Sequence, residues 1–184
     1  MPGGGAGKGA SDRLETATFA GGCFWCTEAD FEKVPGVATA VSGYTGGTSA
    51  KPTYEQVSAG GTGHYEAVKI SYDPARVSYE QLADYYFRTV DPVDAGGQFC
   101  DRGESYRTAI FAANEAQRKI AEAEKRQAAT ILRQPIVTPI LPAATFYPAE
   151  GYHQDYYKKN SLKYKFYRSR CGRDARLKEL WGQG

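Results

Sequence analysis

Alternation of apolar and polar positions predicts a strand over residues 64–72. Glu66 shares its side of this strand with Val68 and Ile70, whereas Lys69 lies on the other side. This parity directs the Glu66 carboxyl group toward the apolar layer. A glutamate near a strand end can equally reach solvent, so parity alone leaves both placements open. The other predicted strands are residues 16–20, 37–44 and 106–112, with short extended pieces among the four prolines of 135–148.

Helical signals lie between these strands. Residues 23–33 have helical spacing after a Gly-Gly turn, and Ser78 with Gln81 has the spacing of a capping box for a helix that ends near residue 90. Asn114 precedes a charged amphipathic helix that ends near residue 132. Strands and helices interleave without a regular βαβ rhythm. This order favours an α+β fold, a two-layer α/β sandwich with a mixed central sheet, flanking helices and an irregular C-terminal segment.

Composition indicates an ordinary globular protein. The chain has 184 residues, of which 41% are hydrophobic and 24% are charged. A chain of this length can form a hydrophobic core without stabilising metal ions or disulfide bonds. The Gly-rich opening predicts a disordered tail over residues 1–14. Residues 15–184 are predicted to form a single catalytic domain, with a C-terminal arm from about residue 150.

Charge and hydropathy restrict the partners and the location. A formal net charge of +2 is too small to make nucleic acid or a membrane the default partner. Residues 156–176 interleave Lys and Arg with Tyr and Phe, but in a near-neutral chain this pattern favours a solvated arm over a nucleic-acid strip. The N-terminus lacks the apolar core of a secretion signal, so we expect a cytoplasmic protein unless a longer precursor was trimmed. A monomer is the simplest expectation.

Cys23 and Cys26 form a C-x-x-C pair at the predicted start of the first helix. The free N–H groups and the positive dipole end of a helix stabilise a thiolate, which would make Cys23 a nucleophile. A zinc-binding module is the rival from another class. Zinc would need a second pair of ligands at close spacing, whereas Cys100 and Cys171 stand alone and we expect no metal.

Bulky aromatic residues separate the two cysteines. A thioredoxin-like disulfide exchanger also places C-x-x-C at a helix start, but Phe24 and Trp25 are more typical of pocket walls. Burial of Glu66 would raise its pKa and keep it protonated near neutrality, ready to act as an acid. Tyr54 and Tyr106 could donate hydrogen bonds to an oxygen while their rings line an apolar slot, or they could simply be packing residues.

An ordered set of motifs resembles the peptide methionine sulfoxide reductases of type A. The resemblance extends from about Thr16 to Asn160, and the order of the motifs is more specific than any one of them. It implies an oxidoreductase that reduces methionine S-sulfoxide, free or in proteins, and so repairs oxidative damage. The motifs are Gly22-Cys23-Phe24-Trp25, Ser42-Gly-Tyr-Thr-Gly-Gly47, Pro52-Thr-Tyr-Glu-Gln-Val57, Thr62-Gly-His-Tyr-Glu66, Tyr72-Asp-Pro74, Asp101-x-Gly-x-Ser-Tyr-Arg107 and Glu150-Gly-Tyr-His-Gln-Asp-Tyr156.

The resemblance also implies a role for each site residue. Cys23 would attack the sulfoxide sulfur and become a sulfenic acid, while Phe24 and Trp25 hold the S-methyl group. Glu66 would protonate the sulfoxide oxygen. The residues implied to assist are Tyr54 and Tyr106, which donate to that oxygen, and Asp101, which organises the site through water and backbone contacts.

Three cysteines are candidates for the thiol that converts the sulfenic acid to a disulfide. Family members often use a cysteine soon after a C-terminal Lys-Asn, but Cys171 lies further from Asn160 than that pattern requires. Cys26 is one helical turn from Cys23, and Cys100 should lie near the pocket. Cys171 and Cys26 rank level, and a relay could end in a surface disulfide that thioredoxin reduces. The resemblance implies no bound cofactor.

Overall fold

The computed structural model describes residues 14–182; most of the predicted N-terminal tail, residues 1–13, lies outside them. The strands are β1 (Glu15–Gly21), β2 (Val37–Thr45), β3 (Tyr65–Tyr72), β4 (Gly97–Gln98), β5 (Asp101–Arg102), β6 (Thr108–Ala112), β7 (Ile140–Pro142) and β8 (Phe146–Pro148). The helices are α1 (Phe24–Glu32), α2 (Tyr54–Ala59), α3 (Tyr79–Arg88), α4 (Glu115–Leu132), α5 (Tyr156–Lys159), α6 (Ser161–Cys171) and α7 (Arg173–Trp181), with 3-10 turns at Glu104–Tyr106 and Gly151–His153.

Six strands form one sheet in the order β7-β6-β1-β3-β2-β8, and β4 pairs with β5 in a separate ribbon. The β6 and β7 strands run parallel, whereas every other neighbouring pair in the sheet is antiparallel. The central sheet is therefore mixed, as predicted. β1 and β3 occupy its middle, where both of their edges are paired.

The main core lies between one face of the sheet and the helices. Alternate residues of the two central strands face this layer, and Phe19, Val68 and Ile70 are fully buried. The opposite face carries a smaller cluster that includes Ala67 and Phe111, against which Leu141 and Phe146 pack. The helix residues of the main core include Phe31, Leu82, Tyr86 and Ala121.

Local capping explains where the helices begin. The Ser78 hydroxyl accepts from the Gln81 N–H at 3.0 Å and the Gln81 side chain accepts from the Ser78 N–H at 2.8 Å, so the predicted capping box is present. The Asn114 side chain accepts from the Gln117 N–H at 2.9 Å and starts α4 as predicted. Thr53 and Gln56 form a second capping box, which starts a helix at Tyr54 that the sequence pattern did not predict.

The C-terminal segment differs from the prediction, because it is helical where an irregular segment was expected. The helix α6 buries only Tyr164, so it has no continuous apolar stripe that periodicity could detect. Ion pairs and aromatic contacts hold it instead. Gly172 has a φ of 73°, ends α6 in the left-handed region and separates it from α7. Nor is the arm only a solvated surface, since Arg173 is 2% exposed.

Within residues 14–182, no helix combines the length and the apolar character that crossing a membrane requires.

Candidate active site

Cys23 lies at the junction of β1 and α1, after a glycine turn. Gly22 has a φ of 87°, and a Cβ there would come within 2.6 Å of the Gln98 Cβ, so only glycine fits this turn. Cys23 is the N-cap residue of α1, and its carbonyl accepts from the Cys26 N–H at 3.1 Å. The sequence therefore predicted the strand, turn and helix start correctly.

The two thiols of this helix turn are buried and coupled. Burial raises the pKa of Cys23 well above its usual range, and the nearby Cys26, Glu66 and Asp101 add to this effect. The helix N-terminus alone predicted easier ionisation; packing behind the C-terminal arm removes the water that would stabilise the charge. The hydrogen bond from Cys23 lowers the pKa of Cys26 to about 7 against the effect of burial, with help from Arg173 and other groups. Of the two thiols, Cys26 therefore loses its proton more easily and carries the negative charge of the pair.

The environment of Cys26 depends on charged residues of the C-terminal arm. Arg168 and Arg173 both lower the pKa of this thiol. Arg168 is held by Asp30 through a 2.9 Å contact from Nη1 to Oδ1. Arg173 is held by donating to the carbonyl oxygens of Gly21 at 3.1 Å and Thr89 at 2.8 Å. The basic arm therefore contributes charge to the cysteine pair, which the sequence pattern did not reveal.

Glu66 lies against the first peptide of α1. The Phe24 N–H donates to Glu66 Oε1 at 3.2 Å, and Oε2 is buried without a hydrogen-bond partner in the described residues. Glu66 is 1% exposed, so the structure has the inward placement of the two that strand parity left open. Burial raises the pKa of Glu66 to about 8, and the charge of Asp101 adds to this shift. The carboxyl group is therefore protonated at neutral pH and has one oxygen free to act on a ligand.

Tyr54 and Tyr106 lie close to Glu66 and to each other, so that the charge of Glu66 affects both phenols. Burial, with the nearby charge of Glu66, raises the pKa of both phenols, so both remain donors at neutral pH. The Tyr54 ring also packs against His153, with ring centroids 4.4 Å apart. Two hydroxyl groups and one protonated carboxyl group are thus brought together near Cys23.

Aromatic rings flank the cysteine on its other side. The Phe24 ring is buried against Tyr44 and His153, with centroid distances of 5.7 and 5.2 Å. Trp25 stacks on Tyr156 at 3.8 Å, and its indole N–H donates to His153 Nδ1 at 3.0 Å. Burial lowers the pKa of His153, which keeps the imidazole neutral and its Nδ1 able to accept. The arrangement provides an apolar wall of fixed orientation.

Sequence reasoning missed several residues that support this wall. Glu150 accepts from the Tyr44 hydroxyl at 2.8 Å and from the Tyr54 N–H at 3.0 Å, so one carboxylate positions both. His153 and Glu150 both lie in the quoted Glu150 to Tyr156 motif, which was the available signal. Glu28, whose pKa burial raises to about 7, has no such signal; it accepts from the Ser42 hydroxyl at 3.0 Å.

Asp101 is half-buried and accepts a hydrogen bond from the Tyr167 hydroxyl. Burial raises the pKa of Asp101, whereas the bond from Tyr167 and the charge of Arg173 oppose that rise. Asp101 is also near enough to Cys23 to affect its pKa. The structure therefore brings this predicted site residue to the cysteine, through a partner on α6 that the sequence did not reveal.

The four cysteines form two pairs. Cys100 and Cys171 are joined by a disulfide with Cα atoms 5.0 Å apart, whereas Cys23 and Cys26 are free thiols. Neither Cys100 nor Cys171 can then complete a zinc site with the free pair. The same bond leaves Cys26 as the thiol beside Cys23.

Comparison with known proteins gives the family. The family model described as peptide methionine sulfoxide reductase matches residues 15–184. The chain is 56% identical over 174 residues to peptide methionine sulfoxide reductase MsrA 2 of Caulobacter vibrioides, covering 94% of this chain and 88% of that protein. It is 52% identical over 174 residues to peptide methionine sulfoxide reductase MsrA of Bacillus subtilis, covering 94% and 98%.

Solved structures share the fold. The reduced form of Mxr1 from Saccharomyces cerevisiae superposes with a TM-score of 0.78 at 32% identity, covering 82% of this chain and 87% of that one. Methionine sulfoxide reductase A of Corynebacterium diphtheriae gives a TM-score of 0.74 at 33% identity, covering 82% and 76%. The predicted α+β fold class is confirmed.

Proposed function

Because the chain belongs to the peptide methionine sulfoxide reductase family, it reduces methionine sulfoxide to methionine, and we propose that Cys23 is the nucleophile and Glu66 the acid. The observation that supports this most is the 3.2 Å bond from the Phe24 N–H to Glu66 Oε1. It fixes a protonated carboxyl group beside the residue that follows the nucleophile. A pure disulfide exchanger has no sulfoxide oxygen that such an acid would protonate.

The reductive step uses the cysteine pair and the acid together. The Cys23 sulfur attacks the sulfoxide sulfur while Glu66 gives its proton to the oxygen, which forms a sulfur–sulfur bond. That bond then breaks as the protonated oxygen moves from the methionine sulfur to the Cys23 sulfur. The thiol proton of Cys23 can pass to Cys26, whose pKa is about 7. The products are methionine and a sulfenic acid on Cys23, which carries the oxygen.

The pocket can distinguish the two sulfoxide epimers. Phe24 and Trp25 would receive the S-methyl group, while Glu66, Tyr54 and Tyr106 would receive the oxygen. With the sulfur fixed at Cys23, the mirror-image epimer would place its oxygen against the aromatic wall and its methyl group against the donors. We assign the S epimer from the family resemblance, since reductases of this kind each take one epimer.

Cys26 is the thiol that resolves the sulfenic acid in this account. Its N–H donates to the Cys23 carbonyl in the first turn of α1, and its thiolate is favoured by Arg168 and Arg173. Attack on the Cys23 sulfenic acid forms a Cys23–Cys26 disulfide and releases water, so atoms balance. Cys171 and Cys100 are bonded to each other and are less well placed for this step.

Recycling then needs two electrons and two protons from outside the enzyme. A thioredoxin dithiol supplies both by thiol–disulfide exchange, and no bound cofactor is required. We place the enzyme in the cytoplasm as a monomer that acts on free and protein-bound methionine sulfoxide. These last assignments rest on composition and on the family resemblance.

The test is methionine release from the two separated epimers of methionine sulfoxide, with dithiothreitol as reductant. Wild type should reduce the S epimer alone, and Cys23→Ser should release no methionine while keeping the wild-type circular dichroism spectrum. Release by Cys23→Ser at the wild-type rate would refute the nucleophile. A matched metal analysis separates the rival class, because one zinc per chain would favour a metal-binding module.

A further inference from the structure

Two links side by side attach α6 to the segment that carries Asp101. Tyr167 and Cys171 are four residues apart and so lie on the same face of α6, one turn from each other. Cys100 and Asp101 are adjacent in the chain. The Tyr167 hydroxyl donates to Asp101 Oδ2, and Cys171 is bonded to Cys100. The disulfide therefore fixes the helix face that presents Tyr167 to Asp101.

Tyr167 also reaches the nucleophile. It packs against the cluster that contains Cys23, and its ring meets the Trp25 ring edge-on with centroids 5.8 Å apart. Burial raises the pKa of Tyr167, so the phenol stays a donor at any working pH. Tyr167 thus binds the carboxylate of Asp101 and packs beside the nucleophile.

We propose that Tyr167 is a positioning residue for Asp101, the carboxylate near Cys23, and that the Cys100–Cys171 disulfide holds Tyr167 in place. The proposal rests on the proposed function, in which Cys23 and Cys26 do the redox chemistry. The second cysteine pair then sets the rate of the first without forming a bond to it.

Reduction of the second pair should release this constraint. A dithiol passes two electrons and two protons to Cys100 and Cys171, the S–S bond breaks, and the dithiol closes its own disulfide. The Tyr167–Asp101 hydrogen bond is then the direct link that remains between the two segments. An exposed Cys100 makes the disulfide reachable by such a reagent.

The first test is Tyr167→Phe, which keeps the ring and removes the hydroxyl. We measure methionine release in a single turnover, without reductant, from pH 5 to 9. Loss of the hydrogen bond raises the pKa of Asp101, so the acid limb of the rate profile should move to higher pH by about one unit, which is roughly a tenfold lower rate at a given pH on that limb. An unchanged profile would refute the positioning role.

The matched control is Tyr157→Phe. Tyr157 is also half-buried on the C-terminal arm and also donates to a carboxylate, that of Glu32, so its removal costs a similar contact. Its profile should superimpose on that of wild type. In an Asp101→Asn background, Tyr167→Phe should have no further effect on the profile. An equal acid-limb shift in Tyr157→Phe, or a further shift in the double variant, would contradict the assignment.

The second test concerns the disulfide. Wild type with Cys100–Cys171 oxidised is compared with fully reduced wild type and with the Cys100→Ser, Cys171→Ser double variant. The reduced wild type and the double variant should both be slower than the oxidised enzyme, and their acid limbs should shift in the same direction. Equal rates in all three proteins would refute the role of the disulfide in holding Tyr167. If oxidised wild type releases no methionine, the proposed function fails and this inference with it. If it does and Tyr167→Phe matches it, only this inference fails.

Discussion

The Trp25 indole N–H donates to His153 Nδ1 at 3.0 Å across a separation of 128 residues. Trp25 is in the first helix, whereas His153 is in a turn of the C-terminal arm. The bond fixes the tilt of a ring that forms one wall of the substrate pocket. His153 also packs on Phe24 in the aromatic wall and on Tyr54 beside Glu66. It therefore connects the aromatic wall with the side of the pocket that carries the hydrogen-bond donors.

Replacing His153 should weaken substrate binding more than chemistry. His153→Phe keeps a ring in place but removes the acceptor of Trp25, and a net hydrogen bond of about 1 kcal/mol corresponds to roughly a fivefold rise in KM. The rate of the chemical step should change less than twofold. Steady-state kinetics checks this, with Tyr152→Phe as a control because that side chain is 56% exposed. A large fall in the chemical rate with unchanged KM would contradict a role in holding the wall.

The pH dependence should follow Glu66. Its pKa of about 8 means that the acid is protonated at neutral pH and loses its proton as the pH rises, so single-turnover release should fall above about pH 8. Glu66→Gln should slow release by about a hundredfold or more, which is the usual contribution of a general acid. The exposed Glu80 provides a control, and Glu80→Gln should behave as wild type. An alkaline limb that persists in Glu66→Gln would assign the titration to another group.

The prediction of Glu66 shows what strand parity can achieve. Alternation placed it on the face of Val68 and Ile70, because neighbours two apart on a strand share a face. Parity left open whether the carboxyl group reaches solvent, and the structure shows that it is buried. The helix start at Ser78 was equally local, since a capping box is made by residues three apart. Features of this kind depend on contacts within one element and are readable from the sequence.

In the C-terminal arm, the contacts that matter join residues far apart in the sequence and could not be predicted from local patterns. The bond between Tyr167 and Asp101 joins residues 66 apart, and the Cys100–Cys171 disulfide joins residues 71 apart. Cysteine spacing does not determine connectivity, and a helix that buries one residue has no periodic signal. The interleaved Lys and Arg residues looked like a solvated arm, because their buried carboxylate partner lies far away in the sequence.

Stability should depend on one buried ion-pair cluster of that arm. Asp30 has a side chain 4% exposed and holds Arg168 at 2.9 Å with Arg173 at 4.0 Å. Asp30→Ala removes the carboxylate that pairs with these two poorly solvated guanidinium groups. It should lower the free energy of unfolding by about 3 kcal/mol.

Urea unfolding of the reduced protein measures this cost. The control is Asp84→Ala, which removes a partly exposed pair with Arg88 at 3.7 Å and should cost less than about 1 kcal/mol. Equal losses in the two variants would mean that burial does not set the strength of the Asp30 cluster.

Removal of Cys26 should separate reduction from recycling. Cys26→Ser should still release about one methionine per enzyme, because Cys23 and Glu66 remain, but turnover with thioredoxin should fall by about tenfold or more as the sulfenic acid persists. Trapping with a sulfenic-acid reagent, followed by mass spectrometry, detects the species on Cys23. Full turnover in Cys26→Ser would mean that another thiol resolves it.

The most direct measurement is a disulfide map after one equivalent of methionine S-sulfoxide without reductant. Wild-type enzyme prepared with Cys100–Cys171 oxidised should release one equivalent of methionine and gain a Cys23–Cys26 bond, with the Cys100–Cys171 bond unchanged. A bridge from Cys23 to Cys171 or Cys100 would contradict the assignment of Cys26. If no methionine is released and Cys23 and Cys26 are still free thiols, the mechanism itself is contradicted.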